Sequence, residues 1–459
     1  MERELAWKKY KNKQIKEMES LCKGYREFLD NGKTERECVT ETVEIIEKAG
    51  YKNLDDIIAG KKKVKTGDKV YAVCMNKSIA MFNIGKKSME DGINILGAHI
   101  DSPRIDIKQN PLYEDSDFAY LDTHYYGGIK KYQWVALPLA IHGVVAKKDG
   151  TVVNVVIGED KDDPVVSITD LLIHLSADQM TKTASKVIEG EQLDILIGSK
   201  PLAGEEKDAV KKNILKLIKE KYDIEEDDFL SAELEVVPAG PARDTGLDAS
   251  MILAYGQDDR VCAYTSLIAM LEVEAPEKTS CCLLVDKEEI GSVGATGMAS
   301  HMFENAVAEV IARLPEGYSE LSLRRSLANS IMLSSDVNAA YDPKNSSLYD
   351  KDNSSSLGGG LVLNKYTGSR GKSGASDANP EFIARLRGVF DKAGVSYQMA
   401  ELGKVDQGGG GTIAYLAAKY GMNVLDAGVA VLSMHAPWEI IAKEDLIQAY
   451  AGYKAFLKI

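Results

Sequence analysis

The sequence has little of what an exported or membrane-bound protein needs. Its six cysteines form no CxxC pair and follow no regular spacing, which argues against a disulfide framework. No apolar run approaches the length that spans a bilayer, and the amino-terminal stretch is charged throughout, without the apolar segment of a secretory signal. We therefore expect a cytoplasmic protein that is not embedded in a membrane.

The chain is also short of positive charge. It has 56 lysines and arginines against 70 aspartates and glutamates, a formal net charge of −14, and Lys61–Lys65 is the basic run that stands out. Since nucleic acid requires a positive surface, we expect no nucleic acid partner. The hydrophobic share of 44% and the charged share of 27% are ordinary for a globular protein, and 459 residues suffice for two or three domains.

Strand-like and helix-like segments alternate over both ends of the chain. The capping box from Thr34 to Glu37 opens an amphipathic helix. Nearly continuous apolar runs are typical of strands covered on both faces, and they include CCLLVD, SIMLSSDV and NVLDAGVAVLSMH. Helices are predicted between or after them, at Val261–Glu272, Pro380–Gly394, Thr412–Tyr420 and Lys443–Leu457. The pattern indicates an α/β fold with a mixed central sheet covered by helices.

The middle of the chain has a different character. Apolar or alternating runs are separated there by turn residues, at Trp134–Ala146, Thr151–Gly158 and Leu193–Gly198. One amphipathic helix, from about Glu205 to Tyr222, interrupts them. We predict a catalytic domain made of residues 1–103 and 247–459, with a β-rich domain of residues 104–246 inserted where the chain leaves a surface loop.

Histidines and carboxylates follow the ends of apolar runs in five separate segments. Ligands of open α/β sheets bind at the carboxyl ends of the strands. Each residue alone has an ordinary interpretation, such as a helix cap or a surface histidine. Jointly, two histidines and three carboxylates suit a pair of Zn²⁺ ions bridged by a carboxylate. The segments supply His99 with Asp101, Asp258 with Asp259, Glu288 with Glu289, Asp336, and His435.

The glycine-rich segment Val405–Gly421 matches a phosphate loop only in part. Glycines before a helix expose N–H donors to anions, but no lysine follows them as the nucleotide motif requires. We interpret Gly409 and Gly410 as part of a wall that lets the substrate backbone approach closely.

The motifs that carry these residues resemble those of one peptidase family. GAHIDSPR, QDDR, DKEEIGS, SSDVNAAYDPKN and SMHAPWE, in this order and at these separations, look like the aspartyl aminopeptidase (aminopeptidase I) family of zinc metallopeptidases. YGGIKKYQW and LLIHL extend the similarity into the middle of the chain. The resemblance implies a zinc-peptidase fold with an inserted dimerisation domain, and an enzyme that releases the N-terminal residue from peptides.

The resemblance also implies the metal ligands. His99 and Asp336 would bind one Zn²⁺ ion, and Glu289 and His435 would bind the other. Asp258 would bridge the two ions and form a cis peptide bond to the next residue. The same nitrogen and oxygen ligands also accept Co²⁺ or Mn²⁺.

Further roles follow from the same resemblance. Asp101 would orient His99, and Glu288 would be the general base for the attack of metal-activated water. His174, in LLIHL, would reach into the active site of a neighbouring subunit. The family builds dodecamers from dimers, with the inserted domain making the dimer contact.

The sequence departs from the family pattern at one substrate-binding position. Members that prefer Asp or Glu carry a lysine where this chain has Asn364, and Lys365 lies one residue further on. In a strand, a single step turns the side chain to the opposite face. An acidic and a neutral preference therefore both stay open, with Lys365 as the candidate substrate contact.

Two other functions stay open as well. A two-metal carboxypeptidase or deacylase has a similar core and favours a positive pocket for a substrate carboxylate. A catalytically silent assembly protein of the same fold predicts a damaged ligand set, whereas all five ligand positions and the base are present here.

Overall fold

The computed structural model describes residues 6–371 and 373–459. Within them the chain divides into two units. The first unit runs up to Asp101 and continues through Ala242–Met434 and Glu439–Ile459, and the second comprises Ser102–Pro241 and His435–Trp438. The first five residues of the predicted segment 1–103 lie outside the described part of the chain.

The secondary structure is numbered in chain order. The helices are α1 (Asn12–Asn31), α2 (Glu35–Lys48), α3 (Leu54–Ala59), α4 (Ala209–Tyr222), α5 (Gln257–Leu271), α6 (Met302–Arg313), α7 (Glu320–Ala328), α8 (Pro380–Ala393), α9 (Ala414–Ala418) and α10 (Lys443–Phe456). The strands are β1 (Lys52–Asn53), β2 (Lys69–Cys74), β3 (Ser78–Asn83), β4 (Asn94–His99), β5 (Arg104–Asp115), β6 (Phe118–Tyr126), β7 (Leu139–Ala146), β8 (Val152–Ile157), β9 (Ile195–Gly198), β10 (Ala232–Pro238), β11 (Arg243–Thr245), β12 (Met251–Ala254), β13 (Ser280–Val285), β14 (Ile331–Ser334), β15 (Asn338–Ala339), β16 (Leu361–Asn364), β17 (Tyr366–Ser369), β18 (Ser373–Asp377), β19 (Tyr397–Ala400), β20 (Asn423–Gly428), β21 (Ala430–Leu432) and β22 (Glu439–Ala442).

A mixed sheet lies at the centre of the first unit. Counted over the described residues it has nine strands, in the order β1-β2-β3-β13-β4-β14-β20-β16-β19. Strands β13, β4, β14 and β20 are parallel to one another, whereas β3 pairs antiparallel with β13 and β16 pairs antiparallel with β20. The predicted mixed sheet is confirmed.

Helices cover both faces of this sheet, which explains the continuous apolar runs. Adjacent residues of a strand point to opposite faces of the sheet and so belong to different hydrophobic cores. Cys282 belongs to the core that includes residues of α1, α5, α8 and α10, and Cys281 to the core that includes residues of α6, α7 and α9. Because both faces of the sheet are buried, residues 281–285 of β13 are apolar at every position and do not alternate between apolar and polar residues. The adjacent cysteines are thus small core residues.

The predicted capping box starts α2. The Thr34 hydroxyl accepts the backbone N–H of Glu37 at 3.2 Å, and the Glu37 carboxylate accepts the backbone N–H of Thr34 at 3.0 Å. Two N–H groups that lack partners inside the helix are thereby satisfied.

A second sheet of the first unit carries the segment before α5. Over the described residues its order is β11-β12-β22-β21-β15. Strand β12 pairs antiparallel with β22, placing Ala254 opposite Glu439. This pairing fixes the start of α5 relative to β22.

The second unit is built on antiparallel strands. Within the described residues its sheet has the order β8-β7-β10-β5-β6-β9. Only part of the apolar run Trp134–Ala146 is a strand: β7 begins at Leu139, and a 3-10 turn at Lys131–Gln133 and the buried Trp134 precede it. None of the helices that the structure describes is long and apolar enough to cross a membrane.

Candidate metal centre

Three parallel strands of the central sheet end at one edge with ionisable residues. His99 is the last residue of β4, which lies between β13 and β14. Glu288 and Glu289 form a 3-10 turn shortly after β13, and Asp336 follows β14 by two residues. The carboxyl ends of parallel strands lie together, so the alternation of strand and helix brings these side chains to one edge of the sheet.

His99 is held at both ring nitrogens. Its Nδ1 lies 3.0 Å from the backbone oxygen of Asp101 and 3.3 Å from the Asp101 carboxylate. Its Nε2 lies 3.1 Å from Asp258 Oδ1 and 4.0 Å from Glu288 Oε2. The ring is 2% exposed. A carboxylate on Nδ1 orients the imidazole so that Nε2 is directed at the acidic cluster.

Asp258 and Asp259 lie at the start of α5 but do not have helical dihedral angles. The peptide bond between them is cis, as the resemblance implied. Asp258 has φ −80° and ψ 106°, Asp259 has φ −116° and ψ 28°, and the N-cap residue of α5 is Gly256. The Asp259 carboxylate instead accepts the backbone N–H of His99 at 3.4 Å. The two aspartates therefore have different partners.

Two sets of candidate ligands lie within the first unit. His99, Asp258 and Asp336 each offer one ligand atom, and these atoms lie within 4.8 Å of one another. The same holds for His99, Glu288 and Glu289. The first set is buried, with Asp336 the most exposed at 9%. Imidazole nitrogen and carboxylate oxygen are the donors that Zn²⁺ accepts in catalytic sites.

The electrostatics of this cluster favour a cation. Burial, followed by the charge of Glu288, holds the pKa of Asp336 well above its usual value. Burial likewise raises the pKa of Asp259. At His99, burial opposes the charged form, but hydrogen bonds to Asp101 and Asp258 raise the pKa of the ring above its usual value. Buried carboxylates so close together repel each other, and a divalent ion would offset this repulsion.

The two remaining predicted histidines belong to the second unit. His435 lies in the turn between β21 and β22, and its Nδ1 is 3.0 Å from the backbone oxygen of Gly128. A neutral imidazole that donates from Nδ1 keeps its lone pair on Nε2, the form in which histidine binds metal. His174 lies on the exposed 3-10 turn Ile173–Leu175. The roles predicted for both stay predictions.

Of the predicted substrate-binding residues, Lys365 directly follows the last residue of β16, and the two glycines lie in the glycine-rich segment. Asn364 is buried and accepts a hydrogen bond from Asn338 at 3.0 Å, whereas the ammonium of Lys365 lies 4.8 Å from the Tyr366 ring centroid.

The glycine-rich segment packs closely on the chain's own backbone. A Cβ on Gly409 (φ +104°) would lie 2.3 Å from the backbone oxygen of Gly368, and Gly410 accepts the backbone N–H of Gly368 at 2.8 Å. Glycine is therefore needed at 409 for packing against the β17 hairpin. Contact of Gly409 and Gly410 with substrate stays a prediction.

Two buried residues near the cluster were not predicted from the sequence. Arg260 donates from Nε to the backbone oxygen of Ile100 at 3.2 Å and so holds the residue between His99 and Asp101. Glu439 accepts the backbone N–H of Asp258 at 3.1 Å. Both belong to motifs noted above, QDDR and SMHAPWE, but a motif letter does not reveal which backbone group the side chain contacts.

An imidazole–carboxylate cluster at the carboxyl ends of parallel strands in a helix-covered sheet defines a metal-dependent hydrolase of the α/β class. The particular family follows from comparison with known proteins. A protein-family model described as "Aminopeptidase I zinc metalloprotease (M18)" matches residues 28–457. The chain belongs to this family, and it is accordingly a metallo-exopeptidase, a hydrolase.

Individual relatives agree over the whole length. A "Probable M18 family aminopeptidase 1" of Clostridium acetobutylicum is 62% identical over 453 residues, which cover 98% of this chain and 97% of that protein. The crystal structure of an M18-family aminopeptidase from Thermotoga maritima matches with a TM-score of 0.95 at 45% identity, covering 100% of both chains. That of aminopeptidase I from C. acetobutylicum matches with a TM-score of 0.93 at 59% identity, again covering 100% of both. The predicted family, fold class and enzyme class are confirmed.

Proposed function

We propose that this protein releases the N-terminal residue from peptides with two divalent metal ions per subunit, zinc being the ion that the family description names. The observation that carries the proposal is the buried set of His99, Asp258 and Asp336, whose ligand atoms lie within 4.8 Å of one another. Burying carboxylates costs free energy unless they are paired or bind a metal, so two buried carboxylates beside an oriented imidazole indicate a metal site.

The donor set fits two ions that share one ligand. We assign His99 and Asp336 to one ion, Glu289 and His435 to the other, and Asp258 to both. His99 and Asp258 adjoin directly, with 3.1 Å between Nε2 and Oδ1. For His435, the assignment rests on the sequence motif and on the position of Nδ1 against the Gly128 backbone oxygen.

Glu288 is proposed as the general base. When bound, the metal ions supply Lewis-acid activation of water and of the scissile carbonyl. Glu288 Oε2 lies 4.0 Å from His99 Nε2, and its side chain is 15% exposed, so it is near the cluster and open to solvent. It takes a proton from the attacking water and delivers it to the leaving amine. Asp101 holds His99 in the orientation that this arrangement needs.

The environment of Asn364 favours a neutral N-terminal residue. Its amide is buried and hydrogen bonded to Asn338, so it offers no positive charge to a substrate carboxylate. The neighbouring ammonium of Lys365 lies over the Tyr366 ring. We therefore propose that neutral residues are released at least as fast as Asp or Glu.

An oligomer is part of the proposal. A structure described as the S. cerevisiae mApe1 dodecamer shares the fold, with a TM-score of 0.77 at 21% identity. In this chain the turn around His174 exposes neighbouring apolar side chains, and an apolar patch of this kind marks an interaction surface. These apolar side chains are between 46% and 69% exposed, and they are Leu171, Leu172, Ile173 and Leu175. We propose that a second copy covers this turn, in a dodecamer built from dimers. The cytoplasmic location stays a prediction of the sequence.

A substrate panel tests the proposal. Purified protein is assayed with aminoacyl-p-nitroanilides of Asp, Glu, Leu, Met and Lys, with and without added Zn²⁺, Co²⁺ or Mn²⁺. A carboxypeptidase or deacylase control uses N-blocked peptides and N-acyl amino acids. Turnover of free-amine substrates alone supports the aminopeptidase, whereas turnover of blocked substrates alone supports the carboxypeptidase or deacylase. No turnover of any substrate with any ion would support the silent assembly protein.

A further inference from the structure

A buried glutamate holds the main chain of the proposed bridging ligand. Glu439 is the first residue of β22 and is 1% exposed. Its Oε2 accepts the backbone N–H of Asp258 at 3.1 Å. The first N–H groups of a helix have no partner within the helix, and here a carboxylate satisfies one of them with a charge-assisted hydrogen bond.

The same residue also holds the preceding side chain. Gln257 Nε2 donates to the backbone oxygen of Glu439 at 2.6 Å and to that of Ile252 at 3.1 Å. Gln257 is fully buried. Strands β12 and β22 are thus joined by the β-ladder and by Gln257, and the turn into α5 is fixed from both sides.

The contact from Glu439 bears on the direction of the Asp258 side chain as well as on its backbone. Asp258 has non-helical dihedral angles, so the local helix does not determine the direction of its side chain. An external contact must do so.

We propose that Glu439 is a positioning residue that fixes Asp258 for binding both metal ions. This inference rests on the proposed function, in which Asp258 is the shared ligand. Glu439 touches neither substrate nor reacting atoms in this role. It acts through the backbone of Asp258, so its loss weakens metal binding before it affects any chemical step.

Metal binding by the full-length protein tests the inference. The protein is stripped of metal, and Zn²⁺ affinity is measured by competition with a chromogenic chelator. Co²⁺ is then titrated, and its visible absorption reports the coordination geometry. We expect Glu439→Ala to lower Zn²⁺ affinity about 10- to 100-fold and to alter the Co²⁺ spectrum, as loss of a residue that orients a ligand does. Glu439→Gln keeps an acceptor for the Asp258 N–H and should stay within about fivefold of wild type.

Glu444→Gln is the matched control. Glu444 is also fully buried and accepts one backbone N–H, from Trp7 at 2.9 Å, but it lies in α10. Its variant should bind metal as the wild type does. If Glu439→Ala does not fold, as judged by circular dichroism, Glu439→Asp replaces it, because the shorter side chain keeps the charge and loses the reach to Asp258.

The outcomes separate the inference from the function on which it rests. Wild-type Zn²⁺ affinity and an unchanged Co²⁺ spectrum in a folded Glu439→Ala or Glu439→Asp protein overturn the inference alone. A wild type that binds neither ion overturns the proposed function together with it. Reduced affinity in Glu439→Ala with normal affinity in Glu444→Gln supports both.

Discussion

The carboxylate of Asp101 accepts the backbone N–H of Glu288 at 3.1 Å through one oxygen, and that of Glu289 at 3.2 Å through the other. The same side chain lies 3.3 Å from His99 Nδ1 and is fully buried. One carboxylate therefore ties the end of β4 to the turn after β13. It orients the proposed ligand His99 and both members of the glutamate pair.

Replacing Asp101 by Asn should damage metal binding and catalysis together. Asparagine has one acceptor oxygen, so it can keep one of the two backbone N–H contacts and cannot stabilise a positively polarised imidazole. We expect Zn²⁺ affinity to fall about 10- to 100-fold and kcat to fall as well at saturating metal. Competition with a chelator and steady-state kinetics measure the two effects. Normal affinity and rate in this variant would show that the contacts are dispensable.

Glu288→Gln should separate catalysis from metal binding. The amide cannot accept a proton, so kcat should fall at least about a hundredfold while metal content is kept. Glu289→Gln is the matched variant, because Glu289, the proposed metal ligand, lies next to Glu288 in the same turn. The main effect of Glu289→Gln should be loss of metal. Metal analysis of both proteins alongside kinetics checks the pair. An active Glu288→Gln enzyme would refute the assignment of the base.

Removing the metal should inactivate the enzyme and make it less stable. The cluster of His99, Asp258 and Asp336 is buried with strong mutual repulsion, so a bound cation favours the folded state. Metal at about a hundred times its Kd would contribute about 2.7 kcal/mol. We expect 1,10-phenanthroline to abolish activity and lower Tm, and added Zn²⁺ to restore both. His99→Ala should show a much smaller Tm response to Zn²⁺, and full activity in chelated wild type would contradict the prediction.

The buried carboxyl of Asp426 should impose a pH dependence on stability. Burial raises its pKa to about 7, although hydrogen bonds from Thr412 and Ser334 act in the opposite direction. The folded state binds this proton more tightly than the unfolded state, so the stabilisation is complete below about pH 4 and is lost as pH rises to about 7. The rise of this pKa to about 7 corresponds to at most roughly 4 kcal/mol in the free energy of unfolding.

Asp426→Asn should remove this dependence. Chemical unfolding of metal-free protein between pH 4 and 8 should give a flatter curve for the variant than for the wild type. Asp342→Asn is the control, because backbone and side-chain hydrogen bonds from Lys344 and Asn345 lower the pKa of the exposed Asp342. Its contribution has the opposite sign and is lost as pH falls. Parallel curves for wild type and Asp426→Asn would contradict the prediction.

Lys365→Ala should leave the order of substrate preference unchanged. The Lys365 ammonium lies over the Tyr366 ring, and Asn364 offers no charge, so neither residue selects for an acidic substrate. We expect the ratio of kcat/KM for Leu and Glu substrates to change less than about threefold. A strong preference for Asp and Glu that disappears in Lys365→Ala would instead show that Lys365 binds the substrate carboxylate.

Much of the fold could be predicted because local sequence and tertiary environment agree. The runs around Cys281 and Cys282 are apolar at every position, which requires cover on both faces, and the structure supplies helices on both. The capping box at Thr34 contains its own partner three residues on. The start of β7 could not be predicted, because Trp134 is apolar and buried without belonging to a strand, so the apolar run does not mark where the strand begins.

The cluster was predictable as a set, and less so in its internal contacts. The motifs placed His99, Asp336 and the Glu288–Glu289 pair at strand ends, where parallel strands must bring them to one edge. They could not reveal that Asp101 also binds the backbone of the glutamate turn, or that Glu439 holds Asp258. Such contacts join segments far apart in the chain, and local sequence carries no signal for them.

The sequence by itself determined the α/β pattern, the residue types offered to metal and the family to which the chain belongs. These follow from apolar periodicity and from motifs that each lie within a few residues. Only the tertiary structure decided which oxygen meets which nitrogen: Asp258 against the His99 ring, and Asp259 against the His99 backbone. The reason is physical, since two adjacent aspartates are chemically identical until the packing of β4, α5 and β22 gives each a different neighbour.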